Sequence, residues 1–226
     1  MMFNIPNLLT IGNLISGVLG IIYVLENGPQ YAIWFVVVSA FFDFLDGFVA
    51  RLMKISGEMG KQLDSLADMV SFGVLPGIVF FTLLKPLEIH PFLPYLSFLI
   101  VAFSALRLAK FNIDTRQTHG FLGLPTPANT LLVVSLPSLS IPTDVAGIVY
   151  SILIVVLSLL LTSDIPMMAL KFKKFGLKEN LDRYLFVVWA VICLAIWGLA
   201  GIAYVIGTYI LYSILMWVKS IANRKV

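Results

Sequence analysis

Eight apolar runs of roughly membrane-spanning length follow one another through the chain and leave little room for another architecture. They fall near residues 5–25, 31–51, 61–84, 92–110, 126–141, 143–163, 184–200 and 202–219. Crossing a bilayer core takes about 20 apolar residues of helix, and backbone inside hydrocarbon must satisfy its own hydrogen bonds. The expected fold is therefore all-α, a polytopic membrane helix bundle of about eight transmembrane helices. Composition agrees, with 60% hydrophobic and 12% charged residues among 226 and a mean hydropathy of +0.99, well beyond a soluble domain. The fifth run is short and contains Pro137, and the seventh is also short, so their ends are the least sharply set. The first run lacks a positively charged leader and reads as a retained helix rather than a cleaved signal.

Charge sets the expected orientation. Of fifteen lysines and arginines, only Lys85 falls in a loop that an eight-span chain would place outside. The rest gather at Arg51–Lys61, Arg107–Arg116, Lys171–Arg183 and Lys219–Lys225, which are alternate loops and the C-terminus. The positive-inside bias then puts both termini, and the turn at 52–59, on the cytoplasmic side. The same clustering at segment ends argues against a nucleic-acid surface. Cys193 is the single cysteine, so no intramolecular disulfide can form.

Four carboxylates interrupt the second and third runs. Each costs about 2.5–3.5 kcal/mol near a bilayer centre, so the set needs compensation. Asp43 and Asp46 are three apart, and Asp64 and Asp68 four apart, so each pair shares one helix face. Two helices joined by a hairpin at 52–59 would turn all four toward one another. Converging carboxylates suit Mg²⁺, Mn²⁺ or Ca²⁺, and suit Zn²⁺ less, since no Cys or His is near. Gly47 and Gly60 beside them would admit a bulky ligand or a close helix contact. With Arg51 at the interface, Asp43 lies eight residues deeper, about 12 Å along a helix. The expected site is a cavity within the membrane that opens to the cytoplasm.

Other polar features are sparser. Asn7, Thr10 and Asn13 recur every three residues on the first helix, and read either as interhelical hydrogen bonding or as substrate contact. Arg107 and Lys110 meet the cytoplasmic edge at the level of the acids, as snorkelling anchors or as an anion site. Lys171-Phe172-Lys173-Lys174-Phe175 reads as a plain basic loop ahead of a lipid-binding patch. His90 and His119 are single loop histidines with no partner at metal spacing.

The pattern D-x2-D-G-x2-A-R-x8-G-x3-D-x3-D, complete from Asp43 to Asp68, resembles the signature of the CDP-alcohol phosphatidyltransferases. The opening P-N-x2-T-x2-N resembles an opening of the same family, and the run Leu63–Gly73, R-L-x-K-F-N at Arg107–Asn112 and F-x-G-L-P-x-P at Phe121–Pro127 resemble its phosphatidylserine synthase branch. Together they cover roughly residues 4–175. The resemblance implies a membrane core over 1–180, of six helices. The C-terminal helix pair at 181–226 lies beyond it, and a structural or dimer-packing role is expected there because only tyrosine hydroxyls and Cys193 are ionisable between Tyr184 and Lys219.

The resemblance further implies metal-dependent transfer of a phosphatidyl group from CDP-diacylglycerol to the hydroxyl of L-serine, with CMP released, in a prokaryotic inner or cell membrane. Asp43, Asp46, Asp64 and Asp68 would hold Mg²⁺ or Mn²⁺, as one ion or two, and Ca²⁺ could occupy the same place. Asp68 would also serve as general base. Asn7, Thr10, Asn13, Gly47, Ala50, Arg51 and Gly60 would bind the CDP-lipid, and Arg107, Lys110 and Asn112 the serine. A homodimer is expected on the same ground. Glycerol 3-phosphate or an inositol phosphate is the alternative acceptor. A divalent-cation transporter would also explain buried acids. It would not explain Ala50-Arg51, nor four acids on one hairpin rather than along a full path.

Overall fold

A computed structural model of the chain describes residues 4–55, 57–114, 121–168 and 180–223. Arg116, His119, Lys171–Phe175 and Lys225 lie outside these. Among the described residues the regular structure is helical apart from one two-residue antiparallel ladder, Phe121–Leu122 (β1) with Pro166–Met167 (β2). The helices are α1 (Ile5–Asn27), α2 (Ala32–Leu52), α3 (Glu58–Asp68), α4 (Leu75–Leu84), α5 (Phe98–Ile113), α6 (Thr126–Ser135), α7 (Thr143–Thr162), α8 (Leu181–Trp197) and α9 (Ala200–Asn223). Among the described residues six helical stretches are long and apolar enough to cross a membrane: Ile5–Asn27, Pro29–Leu52, Glu58–Leu87, Leu93–Ile113, Thr143–Thr162 and Ala200–Asn223. The chain is thus an all-α polytopic membrane protein.

Two of the expected spans correspond to shorter helices. The fifth is α6 plus a 3₁₀ turn over Leu136–Ser138, because Pro137 cannot donate the next helical hydrogen bond. The seventh is α8, 17 residues long, stopped at Gly198 with a positive φ.

The helix α1 is the central post. Asn4 caps it by accepting from the Asn7 amide at 2.9 Å, and Pro6 occupies the first turn. Its buried residues, Pro6, Asn7, Thr10, Asn13, Ser16, Gly17, Gly20 and Val24, form one stripe that is polar in its first half and small or apolar in its second. The opposite face shows Leu8, Ile15, Leu19 and Ile22, as a lipid-facing surface should. The small residues are needed for contact. A Cβ on Gly17 would sit 2.9 Å from Ser71 Cα, and one on Gly20 would sit 2.7 Å from Phe35 Cβ. Lipid tails are as apolar as leucine, so such close packing and interhelical hydrogen bonds must supply the attraction between helices.

The third span is one rod with a defect. Between α3 and α4, Met69–Val74 winds as a π-helical turn, which rotates the face presented before it relative to the face after it. Asp64 and Asp68 precede the turn, and the buried Phe72, Leu75, Val79 and Phe80 lie within or beyond it. Against this stretch lies α5, where a Cβ on Gly73 would meet Ser104 Cβ at 3.2 Å and one on Gly77 would meet Val101 Cγ2 at 2.5 Å.

The helices α8 and α9 pair through Trp189 Nε1 to Thr208 Oγ1 at 3.0 Å and Tyr212 Oη to Asp182 Oδ2 at 2.9 Å. The pair joins the rest through α9. There the Met168 amide donates to Ser213 Oγ at 3.1 Å, and Tyr209 Oη donates to the Met168 carbonyl at 3.2 Å.

If the α1 contact carries the bundle, Gly17→Leu should destabilise the detergent-solubilised protein by about 1–3 kcal/mol or more. Gly207→Ala, where no atom stands within 4 Å of an added Cβ, should be neutral or slightly stabilising. Thermal midpoints of the two variants check this, and equal midpoints would refute it.

Candidate active site

Helices α2 and α3 form the acidic hairpin. The Ile55 amide donates to the Ala50 carbonyl at 2.9 Å, and Lys54 takes a left-handed conformation at φ 52° to reverse the chain. On these two helices Asp43, Asp64 and Asp68 bring carboxylate oxygens to within 4.8 Å of one another, the one such group able to hold a metal ion among the described residues. All-oxygen donors at this spacing fit a hard divalent cation.

Asp43, Asp64 and Asp68 form the tightest group, and Asp46 interacts electrostatically with all three. Asp46 is buried and turned to α1, where Thr10 Oγ1 donates to its Oδ2 at 2.6 Å. It still lines one cleft together with Asp64, so it stands beside the cluster.

The polar stripe on α1 does the positioning. Asn13 Nδ2 donates to Asp68 Oδ1 at 3.1 Å. The Asn13 carbonyl also accepts from Ser71 Oγ at 3.0 Å and Ser39 Oγ at 3.3 Å, so one fully buried residue ties α1 to both flanking spans at the level of the acids. Asn13 is thus a scaffold for the base candidate.

A cleft leads away from the cluster toward the hairpin. Its inner part, about 250 Å³, is lined by Thr10, Asp46, Gly47, Asp64 and their neighbours. Its outer part, about 370 Å³, is lined by Asn4, Ile55, Gly57 and Met59. Pro6, Asn7, Ala50, Gly60 and Lys61 border both. The nearest atom to a Cβ on Gly60 would be Asn7 Oδ1 at 3.5 Å, and to one on Gly47 Arg51 Nη1 at 3.4 Å. Neither glycine is forced by packing, so both serve to keep the cleft wide. Arg51 is exposed and reaches back over Gly47 at the rim.

The three expected acceptor residues separate. Arg107 is buried, donates through Nε to the Leu124 carbonyl at 2.9 Å, lies over the Phe111 ring at 5.4 Å, and interacts electrostatically with Asp68 and Tyr209. Lys110 instead pairs with Asp164 at 2.9 Å and donates to the Thr162 carbonyl at 3.1 Å, which fastens α5 to the end of α7. Asn112 donates to Ser65 Oγ at 2.8 Å and accepts Lys61 Nζ on its carbonyl at 2.7 Å, which fastens α5 to α3. Only Arg107 stands with the acids.

Sequence reasoning passed over Asp164 and Tyr209, which carry no local signal, and gave Ser65, inside the run Leu63–Gly73, no task of its own. It also passed over Thr126 and Asn129, whose i, i+3 spacing on an apolar helix is the same signal as the stripe on α1.

The fold and site define a class, a polytopic membrane protein with a carboxylate cluster in its helical spans beside a cleft. The chain belongs to the CDP-alcohol phosphatidyltransferase family, whose sequence profile matches residues 3–222. It is similar to the CDP-diacylglycerol–serine O-phosphatidyltransferase of Helicobacter pylori strain 26695, 33% identical over 97% of this chain and 94% of that one. It is also similar to the enzyme of that name from Methanocaldococcus jannaschii, 32% identical over 96% of this chain and 99% of that one. The enzyme of that name from Bacillus subtilis is 39% identical over 58% of this chain and 73% of its own length.

Removing one converging carboxylate should weaken divalent-cation binding at least about ten-fold, since each supplies a charged oxygen to the ion. Asp43→Asn and Asp64→Asn should do so in a Mn²⁺ titration followed by electron paramagnetic resonance. Asp164→Asn should not, and equal affinity in all three would contradict the cluster.

Proposed function

We propose that this chain transfers the phosphatidyl group of CDP-diacylglycerol to the hydroxyl of L-serine, giving phosphatidylserine and CMP. The observation that carries the reading is the convergence of Asp43, Asp64 and Asp68, of which Asp64 lines, with Asp46, the inner end of a cleft between α1, α2 and α3. Family membership and the names of the relatives support it.

Asp43, Asp64 and Asp68, with Asp46 beside them, would hold Mg²⁺ or Mn²⁺ as one ion or two, with Ca²⁺ able to take the same oxygens. Such a cation, when bound, neutralises a pyrophosphate and the charge that builds on its leaving group. Around it the side chains have separable tasks. Asn7, Thr10, Gly47, Ala50 and Gly60 form the walls of the nucleotide cleft, and Arg51 covers its rim.

Asp68 takes the proton of the acceptor hydroxyl. The hydroxyl oxygen bonds to the lipid-side phosphorus while that phosphorus parts from the oxygen bridging it to the cytidine side, and CMP departs with the bond's electron pair. Asn13 occupies Asp68 Oδ1, so it orients the carboxylate and leaves Oδ2 for the proton. Arg107 supplies the cation for the serine carboxylate. Lys110 and Asn112, retained by other partners, act on the site only by fixing α5.

The same proposal has both termini and the cleft mouth facing the cytoplasm, with α6 and α8 as the fifth and seventh of eight membrane segments. The distribution of lysine and arginine supports this orientation. It treats residues 1–180 as the catalytic core and 181–226 as a pair that buttresses it through α9, in a homodimer.

Purified protein in lipid, given CDP-diacylglycerol and Mg²⁺ or Mn²⁺, should release CMP when serine is added and not with glycerol 3-phosphate or inositol phosphate. Release with either of those instead would overturn the choice of acceptor, and no release with any acceptor would overturn the reaction. Asp68→Asn, assayed at Mg²⁺ or Mn²⁺ high enough to saturate the weakened cation site, should still cut turnover by about 10²–10⁴-fold, the usual worth of a general base, while CDP-lipid binding at that metal concentration persists.

A further inference from the structure

The C-terminal helices carry a cavity that the proposed reaction does not use. It measures about 330 Å³ and lies between β2, the start of α8 and the end of α9. Among its walls are Asn180, Asp182, Arg183, Tyr212, Trp217 and Ser220. None of these is among the described walls of the cleft beside the acids. A second chamber of about 220 Å³ continues along the two helices and shares Met168, Asp182 and Tyr212 with the first. Its further walls are Leu185, Phe186, Trp189 and Thr208. One chamber is thus polar and charged, and the next is almost wholly apolar.

The helices set the order of the chambers. Asp182 is in the first turn of α8, and Tyr212 Oη on α9 donates to it at 2.9 Å. Trp217 and Ser220 are in the last two turns of α9, a helix long and apolar enough to cross a membrane. The polar chamber therefore stands at the end of the span, where tryptophan favours the headgroup level. The apolar chamber runs inward from it. A cavity that is polar at the membrane edge and apolar toward the middle has the shape of an amphiphile.

The charges narrow the class of headgroup. The polar chamber offers one cation, Arg183, and one carboxylate, Asp182, on adjacent residues. Arg183 Nη1 donates to Asn180 Oδ1, and Asn180 is buried at the N-cap position of α8, so the guanidinium is held in place. Its planar fork matches a phosphodiester, and the Ser220 hydroxyl is a further donor in the same chamber. Asp182 and the Trp217 ring suit an ammonium. A purely anionic headgroup would meet the Asp182 carboxylate with no ammonium to offset it.

We propose that the two chambers hold one phospholipid whose headgroup joins a phosphodiester to an ammonium. Arg183 takes the phosphate, Asp182 takes the ammonium, and an acyl chain lies between α8 and α9. This does not rest on the transfer reaction proposed above. The bound lipid bridges α8, α9 and the end of β2. Met168, a wall of both chambers, is already gripped by Ser213 and Tyr209, so the lipid adds to the joint through which the C-terminal pair meets the rest of the bundle.

Native mass spectrometry of the detergent-released protein tests this, with phosphatidylethanolamine and phosphatidylglycerol of the same acyl chains added at equal concentration. The wild type should retain one phosphatidylethanolamine per chain in preference to phosphatidylglycerol. Arg183→Gln should weaken that retention about ten-fold or more, the worth of a charge-assisted hydrogen bond. Asp182→Asn should erase or reverse the preference, because the group that disfavours an anionic headgroup is gone. Asp43→Asn, in the carboxylate cluster, should retain the lipid as the wild type does. Phosphatidylethanolamine should also raise the thermal midpoint of the wild type, as a ligand of the folded state must, and not that of Arg183→Gln. If Arg183→Gln fails to fold, Met216→Trp, at an exposed wall of the polar chamber, should lower retention in its place. Equal retention of both lipids by the wild type, or retention indifferent to the substitutions at 182, 183 and 216, would mean annular lipid only and overturn the site.

Discussion

Asn13 is the joint on which this structure turns. Its carbonyl accepts hydroxyls from the second and third spans, and its amide holds Asp68. Close packing at Gly17, one turn further on, sets the distance at which those bonds form. A stripe of polar and small residues on one helix therefore performs two tasks that a soluble protein would assign to a hydrophobic core and a separate active site. In lipid, where apolar burial between helices contributes little, hydrogen bonding of this kind both assembles the bundle and orients its carboxylates. Thr10 adds the same service for Asp46.

The acids explain the rest of the geometry. Three carboxylates drawn within 4.8 Å repel one another, and each is expensive in a bilayer. The proposed reaction supplies such a cluster with its counterparts, a cation and a pyrophosphate. The neighbouring glycines widen the cleft, and the π turn lets one rod present acids on one side of the defect and core residues on the other. The ion pair of Lys110 with Asp164 and the bonds of Asn112 to α3 fasten α5 at two points, which fixes the height of Arg107 beside the acids.

Much of this is legible from residue order. Apolar runs locate the helices, and the spacing of Asp43, Asp46, Asp64 and Asp68 places their shared faces correctly because helical periodicity is local. The proline at 137 announces the short fifth helix. What periodicity cannot supply is partnership across the chain. Nothing near Asp46 signals that Thr10 claims it, and Lys110 and Asn112 read like Arg107 until Asp164 and Ser65 are seen beside them. The π turn is equally silent in sequence, since one extra residue in a rod leaves hydropathy unchanged. Thr126 and Asn129 are readable by the rule that applies to the first helix, but they sit on a short helix broken by proline, where the period has little length in which to show.

Configuration at the lipid-side phosphorus is the measurement that most directly tests whether acceptor, Asp68 and the carboxylate cluster meet at one atom. CDP-diacylglycerol made chiral at that phosphorus would be converted with serine, and the configuration of the phosphatidylserine determined. A single in-line displacement, with Asp68 taking the proton, requires inversion. Retention would mean two displacements through a covalent intermediate on the protein, and would contradict the role of Asp68 as the base that activates the acceptor for direct attack.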